Sequence, residues 1–152
     1  MLTARRVPPS PIVPGEQALA RDLGSYLVKV LRLRAGDVFV VFDPEASTEA
    51  DAELTSDVPA RARLGEPRPA PPNAARELCL LQGLAKGEKP DHVARAAVAL
   101  GVTALSFVRT DRSIAGAELR HERLRSIMID TARQCGRGDL PRLAGPLALE
   151  VA

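Results

Sequence analysis

The chain has 152 residues, 45% hydrophobic but only 3% aromatic, so any core must be built from Ala, Val and Leu. Its formal net charge is only +2, yet 18 of the 21 basic residues are Arg, whose planar fork suits phosphate and stacks on bases. No run approaches the ~18 apolar residues of a membrane span, the N-terminus lacks a signal-peptide core, and the two Cys and two His lack metal-ligand spacing; a cytoplasmic protein with no membrane or metal partner is expected.

Residues 8–14 carry four prolines and read as an extended arm. From 17 to 33 the apolar positions Leu23, Leu27, Val30 and Leu31 follow helical spacing. Arg34-Ala35-Gly36-Asp37 is a turn, and Val38-Phe39-Val40-Val41-Phe42 a dense β-type run. Residues 52–55 and 60–64 alternate in strand fashion, and the stretch 43–57, with six acids and no base, reads as an acidic flap. Residues 65–74 hold four prolines, which at that density block helix and ladder and predict a stiff linker.

Beyond it the pattern becomes β-α-β. Leu78-Cys79-Leu80-Leu81 reads as a buried strand. Pro90 suits a first helical turn, Val93, Ala96, Ala97 and Leu100 share a face, and Gly101 sits at a left-handed cap. Residues 102–108 form a second strand. A second helix from about Glu118 carries Leu124, Ile127, Met128, Thr131, Ala132 and Cys135 on one stripe and stops at Gly136. Residues 143–151 would be a third strand, interrupted by Gly145-Pro146, and such crossovers give a parallel sheet. Cys79 and Cys135, set in apolar segments, are expected to be buried thiols.

Parallel sheets bind ligands beyond the carboxyl ends of their strands. Lys86 and Lys89 lie in the loop after the first of these strands, near a helix N-terminus that favours anions. The loop fits neither Gly-x-x-x-x-Gly-Lys-[Ser/Thr] nor Gly-x-Gly-x-x-Gly, so a solvated loop is the other reading. Arg112 follows the second strand and should share that edge with Lys86, as a clamp or as a solvated turn. Gln134 and Arg137 end the second helix on the opposite edge, where Arg137 alternatively satisfies the last carbonyls. Lys29, Arg32 and Arg34 crowd the end of the first helix, either for an RNA backbone or for the helix dipole. No triad or carboxylate pair stands out, and no catalytic residue is singled out.

Tyr26-Leu27, Val30-Leu31-Arg32-Leu33-Arg34-Ala35-Gly36-Asp37 and Phe42-Asp43 resemble the N-terminal PUA-like RNA-binding barrel of the RsmE-type 16S ribosomal RNA methyltransferases. Leu81-Gln82-Gly83-Leu84-Ala85-Lys86-Gly87-Glu88-Lys89, Ala99-Leu100-Gly101-Val102, Thr110-Asp111-Arg112-Ser113 and Gln134-Cys135-Gly136-Arg137 resemble the first part of that family's SPOUT domain, an α/β knot built on a parallel sheet. On this resemblance residues 1–68 are a PUA-like β-barrel, 69–76 a Pro-rich linker and 77–152 the N-terminal part of the SPOUT domain.

The resemblance implies S-adenosylmethionine-dependent methylation of a uracil N3, with 16S rRNA or the small ribosomal subunit as partner and a homodimer as the intact assembly. It implies that Lys86, Lys89, Arg112 and Arg137 orient RNA, while Arg32 and Arg34 hold backbone phosphate. The family's donor site is a knotted C-terminal segment with a Gly-Pro-Glu-Gly-Gly loop and a later Leu-Gly-x-x-Ile-Leu-Arg stretch, and neither occurs here. Ala99 and Tyr26 stand where the family usually has an acid and a His. A partial form without cofactor-binding residues is therefore expected; the alternative is a non-catalytic RNA-binding protein that keeps the barrel and a remnant of the sheet.

Overall fold

A computed structural model describes residues 6–7, 11–70, 76–113 and 118–149. The chain divides into Met1–Ala70 and Pro71–Ala152, each built on its own sheet. The first unit runs β1 (Arg6–Val7), β2 (Gly15–Ala18), α1 (Arg21–Ser25), a π-helical turn (Tyr26–Val30), β3 (Val38–Asp43), β4 (Thr48–Asp57), β5 (Ala60–Leu64) and β6 (Arg68–Pro69). The strands lie in the order β1-β3-β4-β5-β2, with β6 also on β4. All pairs are antiparallel except β1 with β3.

The dense apolar run becomes β3, and Phe39, Val40, Val41 and Phe42 are all buried, so both faces of that strand are covered. Leu27, Leu33, Leu54, Ala62 and Leu64 join Phe39 and Val41 in the core. The helix expected over 17–33 is shorter, because Gln17 pairs with Ala62 in the sheet and helix begins at Arg21. Its second half is wound as a π-turn, the Leu31 N–H reaching back to the Tyr26 carbonyl at 3.0 Å. Wider winding rotates Val30 off the apolar stripe, and it is exposed.

The proline-rich stretch does not break the ladder as expected. The Gly65 N–H donates to the Asp51 carbonyl at 2.8 Å and the Ala70 N–H to that of Ser47 at 2.9 Å. Between them Arg68 and Pro69 pair with Glu49 and Thr48, so the chain resumes along β4 where β5 leaves it. Pro67 and Pro69 fit because flanking amides supply the donors. The acidic stretch is thus mostly a sheet strand rather than a flap, and Arg68 neutralises part of it. Its guanidinium donates to both Asp51 oxygens at 2.8 and 2.9 Å and to Glu49 Oε1 at 3.0 Å. Residues 8–10 of the proline arm and 71–75 of the linker lie outside the described residues.

In the second unit β7 (Cys79–Gly83), β8 (Ala104–Arg109) and β9 (Arg142–Ala148) form a parallel sheet in that order. α2 (Lys89–Ala99) joins β7 to β8, and α3 (His121–Cys135) joins β8 to β9. The helices pack side by side, so both crossovers cover one face. Gly101 and Gly136 follow the two helices with φ of 80°, the left-handed stops expected of them.

Three expectations are corrected here. β7 is not buried: Leu81, and Leu78 just before the strand, are about half exposed, and Cys79 and Leu81 alternate onto the sheet face that the helices do not cover. The buried face of α2 is Pro90, Asp91, Ala94, Ala97 and Val98, while Val93 is half-buried, Ala96 exposed and Leu100 76% exposed. The same 3.6-residue period fits both stripes, and contact with α3 selects the one containing Asp91. Both cysteines are free and exposed, Cys79 on the edge strand and Cys135 in the last turn of α3. The third strand closes at Ala148, and residues 150–152 lie outside the described set.

β9 bulges at Gly145 (φ 112°), where the ladder to β8 slips between Ser106 and Val108. A Cβ there would sit 2.3 Å from the Phe107 carbonyl oxygen. Gly145→Ala combines a disfavoured φ with overpacking against backbone, and should cost about 3 kcal/mol in urea denaturation. A second expectation concerns acid. Arg68, chiefly by hydrogen bonding, holds the Asp51 carboxyl below the usual carboxylate range. A depressed folded pKa stabilises above the ordinary value, and that contribution is lost as pH falls below about 4. Asp51→Asn should flatten the acid limb of a stability–pH curve.

Candidate nucleic-acid interface

The carboxyl edge of the parallel sheet is organised by backbone. After Gly83 the Leu84 N–H donates to the Val108 carbonyl at 2.8 Å and its buried side chain anchors the loop. Lys86 follows at a bend, Gly87 takes φ 69°, and α2 starts at Lys89. After β8, residues 110–113 form a turn closed twice by Ser113: its Oγ accepts from the Thr110 N–H and its N–H donates to the Thr110 carbonyl, both at 2.9 Å. Arg112 projects from that turn. Lys86, Lys89 and Arg112 are all exposed, and none makes an ion pair among the described residues. The structure therefore brings these three cations to one edge, on neighbouring strands.

Between the first turns of α2 and α3 lies a cavity of about 390 Å³, lined by Glu88, Asp91, Glu118, Arg120, Arg123 and Leu124 among others. Asp91 is buried, and Arg123 donates to its Oδ2 through Nε at 2.9 Å and Nη2 at 2.6 Å. The sequence reading missed this pair. Asp91 looks like an ordinary first-turn acid, and only the parallel packing of consecutive helices brings Arg123 to it.

Arg137 has no place at that edge. It is fully buried at the opposite end, donating Nη1 to the Val98 carbonyl at 3.1 Å and Nε and Nη2 to Asp139 at 2.8 and 3.1 Å. With its guanidinium enclosed and bonded to protein, Arg137 is a fastener between the C-terminal turns of α3 and α2, which corrects its expected role toward RNA. In the first unit Arg32 and Arg34 are both exposed. Arg34 Nη1 lies 3.7 Å from Asp57 Oδ2, and its backbone N–H donates to Asp37 Oδ2 at 2.8 Å.

Residues 72–152 match the family model of an RNA methyltransferase domain, and residues 19–57 that of an RNA methyltransferase PUA domain. The chain belongs to the RNA methyltransferase family. Its fold is similar to that of the Legionella pneumophila methyltransferase Lpg2936, solved with bound SAM (TM-score 0.77, 22% identity, 99% of this chain and 65% of that one). It is also similar to ribosomal RNA small subunit methyltransferase E of Neisseria gonorrhoeae, solved bound to S-adenosyl methionine (TM-score 0.76, 24% identity, 96% of this chain and 63% of that one). The chain thus spans less than two thirds of each of those structures. The paired family models and the Neisseria neighbour fit the RsmE type read from the motifs.

The cavity between the first turns of α2 and α3 does not fit S-adenosylmethionine. Its adenine needs apolar or aromatic walls, whereas the cavity at the α2 and α3 N-termini is walled by Glu88, Asp91, Glu118, Arg120 and Arg123. A second cavity, lined by Ala99, Leu100, Gly101 and Cys135, holds only about 160 Å³.

The separate jobs of Arg137 and Arg112 are measurable. Arg137→Met leaves Asp139 and the Val98 carbonyl without their donors, and should cost about 3 kcal/mol in chemical denaturation. Arg112→Ala, at an exposed turn, should change stability by less than about 0.5 kcal/mol.

Proposed function

We propose that this chain is the RNA-gripping portion of an enzyme that methylates a uracil N3 in 16S ribosomal RNA. The observation that carries the reading is the placing of Lys86, Lys89 and Arg112 on one edge of a parallel sheet, in a segment that matches an RNA methyltransferase domain. Phosphate contacts from such cations fix the register of an RNA strand. Cations facing the base also stabilise the anion that a uracil becomes when N3 loses its proton, an electrostatic contribution to transfer. Arg32 and Arg34, in the PUA unit, hold backbone phosphate.

S-adenosylmethionine supplies the methyl group when bound, and its binding residues are assigned to the length of the relatives that this chain does not span. The residues present bind and orient RNA. The intact protein acts as a cytoplasmic homodimer of SPOUT type on 16S rRNA or the small subunit. The non-catalytic alternative rests on the same misfit of the cavities to the donor.

Titration of a 16S rRNA fragment at several salt concentrations tests the reading. Affinity should fall steeply with salt, and the double variant Lys86→Ala/Arg112→Ala should reduce the log–log slope by roughly 1.5, the release expected from two phosphate contacts. Salt-insensitive binding would remove the RNA grip. Calorimetry with S-adenosylmethionine should give no heat with this chain; saturable binding would overturn the assignment of the donor site elsewhere.

A further inference from the structure

Asp91 is held by one oxygen only. Arg123 sends both its Nε, at 2.9 Å, and its Nη2, at 2.6 Å, to Oδ2. A guanidinium facing a carboxylate commonly spreads such a pair over both oxygens. Arg68 does so with Asp51 in the first unit, reaching Oδ2 at 2.8 Å and Oδ1 at 2.9 Å. On Asp91 the doubling leaves Oδ1 with no partner among the described residues, although the residue is only 5% exposed. A buried acceptor left without a donor is costly, and nearly all find one.

That side chain lines the cavity of about 390 Å³ between the first turns of α2 and α3, a size within the range of small-molecule sites. Pro90 and Leu124, both buried, give the cavity an apolar patch. Arg120 and Arg123 stand along its polar wall, and Arg120 makes no ion pair or hydrogen bond among the described residues. The cavity thus presents one carboxylate oxygen that accepts, beside guanidinium groups that donate. Its three carboxylates repel phosphate, so the matching ligand is neutral. A pyrimidine has that complement on its Watson–Crick edge. Uracil offers one N–H between two carbonyl oxygens, and cytosine an amino group beside a ring nitrogen and a carbonyl. A purine needs more apolar wall for its fused rings than Pro90 and Leu124 provide.

We infer that this cavity receives an unpaired pyrimidine of the RNA strand, read by Asp91 Oδ1 and the guanidinium groups of Arg120 and Arg123. Gly87 and Glu88 lie on its wall and Lys86 and Lys89 flank them in sequence, so a phosphate held at the rim brings its own base to the opening. Single-stranded RNA is commonly read in this way, with a base splayed from the stack and bonded along its edge. The base held here is a neighbour of the methylated one, because a ring whose N3 edge faces Asp91 cannot take a methyl group there. The inference rests on the RNA-gripping reading above and adds a base-reading contact to its phosphate contacts.

The test titrates the full chain with fluorescein-labelled single strands of about ten nucleotides: oligo-U, oligo-C, oligo-A and a ribose-phosphate strand without bases. Oligo-U and oligo-C should bind about tenfold tighter than the other two, the worth of one well-made base contact. Asp91→Asn turns its amide oxygen to Arg123 and its N–H₂ to the cavity, so the preference should shrink to about twofold or less. Arg120→Ala spares the Asp91–Arg123 pair and should reduce the preference about threefold with Tm unchanged. Where Asp91→Asn fails to fold, Arg120→Ala carries the test alone. Lys86→Ala/Arg112→Ala should weaken all four strands alike, since phosphate contacts ignore the base. Equal affinity for oligo-U and the baseless strand would overturn the pocket and leave the RNA grip standing. A pyrimidine preference that persists in the variants would trace to strand flexibility and overturn it too. Undetectable binding of every strand would overturn both readings.

Discussion

The two helices of the second unit are fastened at both ends by arginine, and the candidate interface depends on that fastening. At the N-terminal turns Arg123 reaches across to the buried carboxylate of Asp91. At the C-terminal turns Arg137, itself enclosed, bonds the Val98 carbonyl and Asp139. Buried pairs of this kind contribute little net energy against an apolar substitute, but breaking one leaves an expensive orphan. Their effect is on register. With both ends tied, α2 and α3 cannot slide along one another, so their first turns are held at a fixed offset. Lys86 and Arg112 follow the strands that lead toward those turns.

The parallel sheet sets the rest of the geometry. Because β7, β8 and β9 all run the same way, both βα loops leave from one edge, and the cations of each gather there without any contact between them. The loops are tightened locally: Leu84 is tied to Val108, and Ser113 closes its own turn. The bulge at Gly145 turns a carbonyl out of the ladder, and the His121 ring meets it at 2.7 Å. The start of α3 is thereby tied to β9 as well as to α2.

Much of this was legible in the sequence because it rests on local rules. Dense apolar runs gave β3 and β8, and glycine after a helical stripe gave the stops at Gly101 and Gly136. The edge shared by Lys86 and Arg112 followed from β-α-β topology alone. The failures share a cause too, for each turned on what lies beside a segment rather than in it. Leu78 and Leu81 have the hydrophobicity of a buried strand but stay half exposed, because both helices cover one face of the sheet and leave the other open. Asp91 passes for an ordinary first-turn acid and Arg137 for a ligand-facing cation, yet Asp91 is buried against Arg123 and Arg137 against the Val98 carbonyl, both far along the chain. Val30 left the apolar stripe because the helix winds wider than the period assumed. Pro67 and Pro69 were read as ladder breakers, which holds only where their missing N–H groups are needed.

Charge balance decides how an RNA would meet this surface. A formal net charge of +2 over 152 residues exerts little long-range pull. The cavity between α2 and α3 adds none, since Glu88, Asp91 and Glu118 outnumber Arg120 and Arg123 along its wall. Phosphate is thus favoured at the rim, where Lys86, Lys89 and Arg112 stand clear of carboxylate partners, and disfavoured inside. In the first unit the same sorting occurs along β4 and β5. Arg61, Arg63 and Arg68 are paired with Glu16, Glu53, Glu49 or Asp51, which leaves them little capacity for an outside anion. Pairing within the protein removes several arginines from contention, and the cations that stand clear of carboxylates at the βα loops, Lys86, Lys89 and Arg112, define where a polyanion can be held.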